Sequence, residues 1–168
     1  LTVIQPATFR EDAVVEALEA LRPELICVVA YGKILPQRVL DIPKYGCINI
    51  HASLLPSLRG AGPIQWSILN GDRETGVTAM YLSAGMDEGD MIDKIEVPID
   101  DEDTASTLTD KLAQAGAELL SKTVDAIAAG TAGRTPQDSE KATYAPMLRK
   151  DMAPIDWTKM PREISCHV

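Results

Sequence analysis

The chain has 168 residues, with 16 Lys and Arg against 25 Asp and Glu, for a formal net charge of −9. That balance argues against a stand-alone nucleic-acid binder, which needs a basic face to neutralise phosphates. The longest unbroken apolar run, Leu25 to Tyr31, is far shorter than the roughly 20 residues needed to cross a bilayer, and the 45% hydrophobic and 24% charged composition is that of a soluble globular chain. Cys27, Cys47 and Cys166 show no metal-ligand spacing, and two histidines are too few for a His-rich zinc site. The odd cysteine count and the lack of a secretory leader point to a reducing, cytoplasmic setting.

Leu1 to Gln5 reads as a short strand-like piece opening without a Met, and the chain stops in Cys166-His167-Val168. Both ends look cut from something longer. Thr8-Phe9-Arg10-Glu11 has the form of a capping box. Val14, Leu18 and Leu21 follow at helical spacing, until Pro23 stops the helix. Leu25–Tyr31 is continuously apolar and rich in β-branched residues, which predicts a strand buried on both faces. A short helix from Pro36 to about Ile42 separates it from a second such strand, Cys47–Ile50. Buried runs alternating with helices predict an α/β fold, a mostly parallel sheet with flanking helices.

Leu54 to Pro63 reads as a shaped loop, and a helix is predicted from Pro63 to about Leu69. Asn70-Gly71-Asp72 is a turn signal. Strands are predicted from Val77 to Leu82 and from Ile92 to Ile99, with the short acidic loop Ala84–Asp90 between them. A long helix runs from about Thr104 to Ala129, its face formed by Leu108, Leu112, Ala115, Leu119, Thr123 and Ile127, and Gly130 is a plausible C-cap. The acidic run Asp100–Asp103 needs no chemistry, because carboxylates complement a helix N-terminus. Beyond Gly130 little periodicity remains, and the chain reads as loop up to Val168.

Asn49-Ile50-His51 ends a buried strand, and alternation puts Asn49 and His51 on one face near its carboxyl edge. In open parallel sheets ligands bind at that edge. Taken alone, such a pair reads as a satisfied Asn and His closing the strand. The sequel changes the weight: Ser53-Leu54-Leu55-Pro56 is a rigid apolar loop, followed by Arg59-Gly60-Ala61-Gly62-Pro63-Ile64-Gln65. An apolar wall beside paired hydrogen-bonding groups suits a small-molecule site.

Here the chain resembles the folate-dependent formyltransferases. Asn49-x-His51, Ser53-Leu54-Leu55-Pro56 and Asp87, 36 residues after His51, match that superfamily's catalytic and folate-binding pattern. Ala30-Tyr31-Gly32-Lys33-Ile34-Leu35-Pro36, Gly60–Gln65, Asn70-Gly71-Asp72 and Thr75–Thr78 extend the match over nearly the whole chain. Ala142-Thr143-Tyr144-Ala145-Pro146 and Ile155-Asp156-Trp157 resemble the branch that acts on initiator tRNA. Gly62 departs from the pattern, where Ala is expected.

The resemblance implies a Rossmann-like fold truncated at both ends, and 10-formyltetrahydrofolate as formyl donor. The acceptor would be the α-amino group of methionine on initiator methionyl-tRNA, in translation initiation. It implies that Asn49, His51 and Asp87 are catalytic and that no metal is needed. Lys33, Ile34, Leu35, Ala84, Gly85, Met86 and Asp87 would line the pteridine pocket, with Ser53, Leu54, Leu55 and Pro56 as the folate-facing loop. It also implies that residues 1–140 are the catalytic domain, lacking its N-terminal part, and that 141–168 are a linker region toward a C-terminal β-barrel domain absent from this chain, which would grip most of the tRNA. Two alternatives stay open: a different acceptor, glycinamide ribonucleotide or an amino sugar nucleotide, and an inactive folate-binding module.

Overall fold

A parallel pair and an antiparallel hairpin share one four-stranded sheet in the computed structural model, which describes residues 3–168. The strands are β1 (Ile26–Val29), β2 (Cys47–His51), β3 (Glu74–Tyr81) and β4 (Met91–Pro98), side by side in that order. β1 and β2 run parallel because α2 (Gln37–Leu40) carries the chain back between them. β2 to β3 and β3 to β4 are antiparallel, with His51 opposite Thr78 and Val77 opposite Ile95. The class is α/β with flanking helices, and the described sheet is mixed: the parallel pairing sits at one edge and the hairpin at the other.

The core lies between the sheet and α4 (Ala105–Ala128). Leu108, Leu112 and Leu119 pack against Val77, Ala79, Val97 and Ile99. Thr104 caps this helix: its hydroxyl accepts the Thr107 N–H, and Gly130 closes the other end at φ +70°. A Cβ on Gly116 would stand 3.2 Å from Ile50 Cγ2, so glycine lets α4 approach β2 closely. The opposite face of β2 carries Cys47, Asn49 and His51, with Cys47 buried beneath Val39 and Leu40 of α2. That division positions the site: one face of β2 builds the core, and the other presents the polar pair. No helix among the described residues is long and apolar enough to cross a membrane.

Four sequence expectations need correction. Of the predicted strand at Leu1–Gln5, Leu1 and Thr2 lie outside the described residues, and the remainder forms no strand. The Thr8–Glu11 capping box does not form. Thr8 instead accepts the Arg10 N–H at 3.1 Å, and α1 (Asp12–Ala20) starts after Glu11. β1 is shorter than its apolar run and is not buried on both faces: Cys27 is exposed and Val29 is 54% exposed, as suits the edge strand of the described sheet. Finally, the region beyond Gly130 is structured. Thr135 exchanges backbone hydrogen bonds with Met91, Tyr144 bridges to Arg59, and α5 (Pro161–His167) packs against α3 (Pro63–Leu69). α5 spans two turns, too short for its periodicity to show in the sequence.

Candidate active site

After β2 the chain makes a tight loop held from β3. Thr78, opposite His51, donates its hydroxyl to the Ser53 carbonyl (2.7 Å) and accepts the Leu55 N–H (3.1 Å). Ser53, 1% exposed, donates inward to the Ser57 carbonyl at 2.6 Å, so its hydroxyl shapes the loop rather than facing a ligand. Leu55 is buried and joined to Pro56 by a cis peptide bond. Leu54 lies over Gly76, where a Cβ would come within 2.5 Å of Leu54 Cδ2. Half-buried Leu54 and Pro56 remain as the loop's apolar surface.

The loop brings Leu58 to the imidazole: His51 Nε2 lies 2.9 Å from the Leu58 carbonyl oxygen. A carbonyl can only accept, so Nε2 carries the proton and donates it. Nδ1 is therefore the nitrogen free to exchange a proton, and it faces Asp87 Oδ2 at 3.7 Å. That separation exceeds a direct hydrogen bond but lies within ion-pair range. Both side chains are largely removed from water. Asp87 adopts φ +53° at the tip of the β3–β4 loop, and its Oδ2 accepts the Gly60 N–H at 2.9 Å. Asn49 lies on the same face of β2, two residues before His51, and its carboxamide makes no hydrogen bond among the described residues. It is free to donate to a reactant.

The structure thus brings His51 and Asp87 together at the end of β2, with Asn49 beside them on the strand. Met86, next to Asp87, is 59% exposed, and Ala84 is also exposed, with Gly85 half-buried. Lys33 is turned elsewhere, its ammonium bonding the carbonyls of Pro6 (2.7 Å) and Ala7 (2.6 Å). Ile34 stands in solvent and Leu35 is half-buried.

The sequence assigns no role to four residues that build this site: Thr78, Gly76 and Arg59, which fall within the motifs quoted, and Gln137, which falls in none. Gly76 stands inside β3, where close approach of another group is one of glycine's uses. The unexpected glycine at 62 also has a reason here. A Cβ there would meet the Pro146 carbonyl oxygen at 2.9 Å, the same oxygen that accepts the Trp66 indole N–H at 2.7 Å.

The family model described as "Formyl transferase" matches residues 2–124, nearly three-quarters of the chain and all of the elements just described up to α4. The chain belongs to the formyl transferase family. A methionyl-tRNA formyltransferase of Acetivibrio thermocellus is 52% identical over 164 residues, covering 98% of this chain and 53% of the relative. The Bacillus subtilis protein of that name is 49% identical, covering 98% and 52% respectively. The chain therefore spans about half the length of the curated relatives it matches. Among solved formyl transferases, PseJ from Anoxybacillus kamchatkensis, in complex with a formamido sugar nucleotide and tetrahydrofolate, superposes with a TM-score of 0.73 at 27% identity, covering 87% of this chain and 74% of its own. WlaRD, a sugar 3N-formyl transferase, gives 0.76 at 26% identity, covering 89% and 56%.

Proposed function

We propose that this chain carries the catalytic core of an enzyme transferring a formyl group from 10-formyltetrahydrofolate to the α-amino group of methionine on initiator tRNA. The observation that carries the reading is the hydrogen-bond state of the polar trio: the Asn49 amide free, His51 pinned through Nε2, and Nδ1 turned to Asp87.

Formyl transfer requires an amine to add to the formyl carbon, so negative charge develops on the formyl oxygen while the amine must lose a proton. Asn49 can donate an N–H to that oxygen, and protonated His51 Nδ1 can add a charge-assisted bond. The Asp87 carboxylate offsets the imidazolium charge and can take the amine proton, directly or through one water, and pass it to N10 of the folate as the formyl C–N10 bond breaks and tetrahydrofolate leaves. Half-buried Leu54 and Pro56 after β2 and exposed Met86 beside Asp87 offer apolar surface that suits a pterin ring. Ala84 and Gly85 would meet such a ring through their backbone, and Lys33–Leu35 would close its far side. Leu55 and Ser53 hold the wall in shape.

The 49–52% identity to the tRNA enzymes favours the tRNA acceptor. The solved sugar-modifying relatives make an amino sugar nucleotide the second reading. With a net charge of −9, this chain is poorly suited to grip tRNA alone. We assign most of that grip to sequence outside it, with residues 141–168 leading from the catalytic domain toward it, in a cytoplasmic enzyme.

The test uses protein made from its complete coding sequence, mixed with 10-formyltetrahydrofolate and methionyl initiator tRNA. Formyl-methionine released from the tRNA supports the reading. Formylation of an amino sugar nucleotide or of glycinamide ribonucleotide instead would replace the acceptor. Folate binding without transfer to any of the three would leave a binding module.

A further inference from the structure

Arg59 is 3% exposed, and no carboxylate lies within 4 Å of it among the described residues. A buried cation without a counter-ion costs free energy unless its protons are well used. Its Nε and Nη2 both donate to Gln137 Oε1, at 3.0 and 2.8 Å. Gln137 in turn donates from Nε2 to the carbonyl oxygens of Asp87 and Gly89, both at 2.8 Å. All the primary amide's protons and its oxygen are then engaged. A reversed amide would set its NH2 against the guanidinium and its oxygen against two carbonyls, so one orientation is enforced.

The tripeptide Leu58–Gly60 meets the catalytic pair three times. The Leu58 carbonyl fixes His51, the Gly60 N–H fixes the Asp87 carboxylate, and the Arg59 side chain fixes the Asp87 backbone through Gln137. The tripeptide is itself anchored, because Arg59 N–H donates to the Thr143 carbonyl (2.8 Å) and Ala145 N–H to the Arg59 carbonyl (2.7 Å). Leu58 and Gly60 hold φ values of +58° and +109°, a backbone path that needs such external support.

We propose that Arg59 and Gln137 are a positioning unit for Asp87, with the buried guanidinium polarising the Gln137 amide so that it holds the β3–β4 loop at the distance from His51 that the reaction needs. Neither residue touches a reactant. Gln137 lies outside the stretch matched to the family model. The inference rests on the formyl-transfer reading for its kinetics but not for its geometry.

The decisive variant is Gln137→Glu. A carboxylate keeps a partner for Arg59, so the fold is retained, but it has no protons for the carbonyls of Asp87 and Gly89. In protein made from the complete coding sequence, kcat should fall about 30- to 100-fold, the order expected for roughly 1 Å of misplacement. The KM for formyl donor should stay within about 3-fold, and the melting temperature within about 10 °C, since two part-buried carbonyls lose their donor while Arg59 gains a counter-charge. Arg59→Met combined with Gln137→Ala should lower kcat no further than the worse single variant, since the two act in series. Hydrogen exchange at the Gly60 amide reads the geometry without turnover. It should quicken at least 10-fold in Gln137→Glu while the Arg59 and Ala145 amides hold. If wild type transfers no formyl group, the functional reading fails and exchange alone decides the positioning. Unchanged Gly60 exchange, or a kcat loss matched by an equal loss of donor affinity, overturns the inference.

Discussion

Thr78 and Ser53 are joined across the sheet by a 2.7 Å hydrogen bond, and the same Thr78 hydroxyl takes the Leu55 N–H. One buried side chain of β3 therefore supplies two of the hydrogen bonds that hold the loop walling the site. Thr78→Val keeps the shape and strands two buried backbone groups, at about 1–3 kcal/mol each. We expect a melting temperature lower by about 5 to 15 °C for Thr78→Val, whereas Thr78→Ser, which keeps the hydroxyl, should avoid most of that loss. Thermal unfolding followed by circular dichroism checks both.

A second buried hydroxyl has the opposite character. Thr123 of α4 is 2% exposed, and its Oγ1 has no hydrogen-bond partner among the described residues. Valine has the same branching without the stranded hydroxyl. Thr123→Val should therefore stabilise the fold by about 1 kcal/mol, raising the melting temperature by about 2 to 4 °C. An unchanged or lower transition would show that the hydroxyl has a partner the geometry conceals.

Where each property was legible follows from how far apart its causes lie in the chain. The long α4 and the Pro63–Leu69 helix are written in local period and capping residues, and they stand within a residue or two of their predicted ends. The face shared by Asn49 and His51 follows from alternation alone. The Arg59–Gln137 contact spans 78 positions and the Gln137–Asp87 contact 50, so no local pattern could signal them. Thr8 misleads because its hydroxyl serves a turn of the same local form as a cap. β1 misleads because an apolar run records affinity for an interior and not the presence of neighbours on both sides.

Burial pushes the Cys47 thiol up from 9.0 to about 11, helped by the charge of Asp41 and by Cys27. The folded chain holds this proton more tightly than the unfolded one, so the associated stability is complete below pH 9. It is lost as pH rises through about 11, and amounts to no more than about 3 kcal/mol at 1.36 kcal/mol per unit. Denaturant melts from pH 8 to 11 should show that decline, and Cys47→Ala should flatten it even while lowering stability uniformly. An equal slope in both proteins would remove Cys47 as its source.

Asp87 is the residue whose substitution separates chemistry from architecture. Its carboxylate does two things: Oδ2 accepts the Gly60 N–H, and its charge faces His51 Nδ1 at 3.7 Å. Asp87→Asn preserves the first, because the amide oxygen can accept the same N–H in the same volume. It removes the second, since a neutral amide neither offsets an imidazolium nor takes a proton from an incoming amine. Turnover of formyl transfer should fall by roughly 100- to 10,000-fold, the range for general acid–base groups. Affinity for a non-transferable folate analogue should change by less than about 3-fold, because the apolar wall of Leu54 and Pro56 is untouched. The two measurements together discriminate. A parallel fall in folate affinity would make Asp87 a binding group. Near-normal turnover would mean that His51 needs no charged neighbour and that the proton leaves by another route.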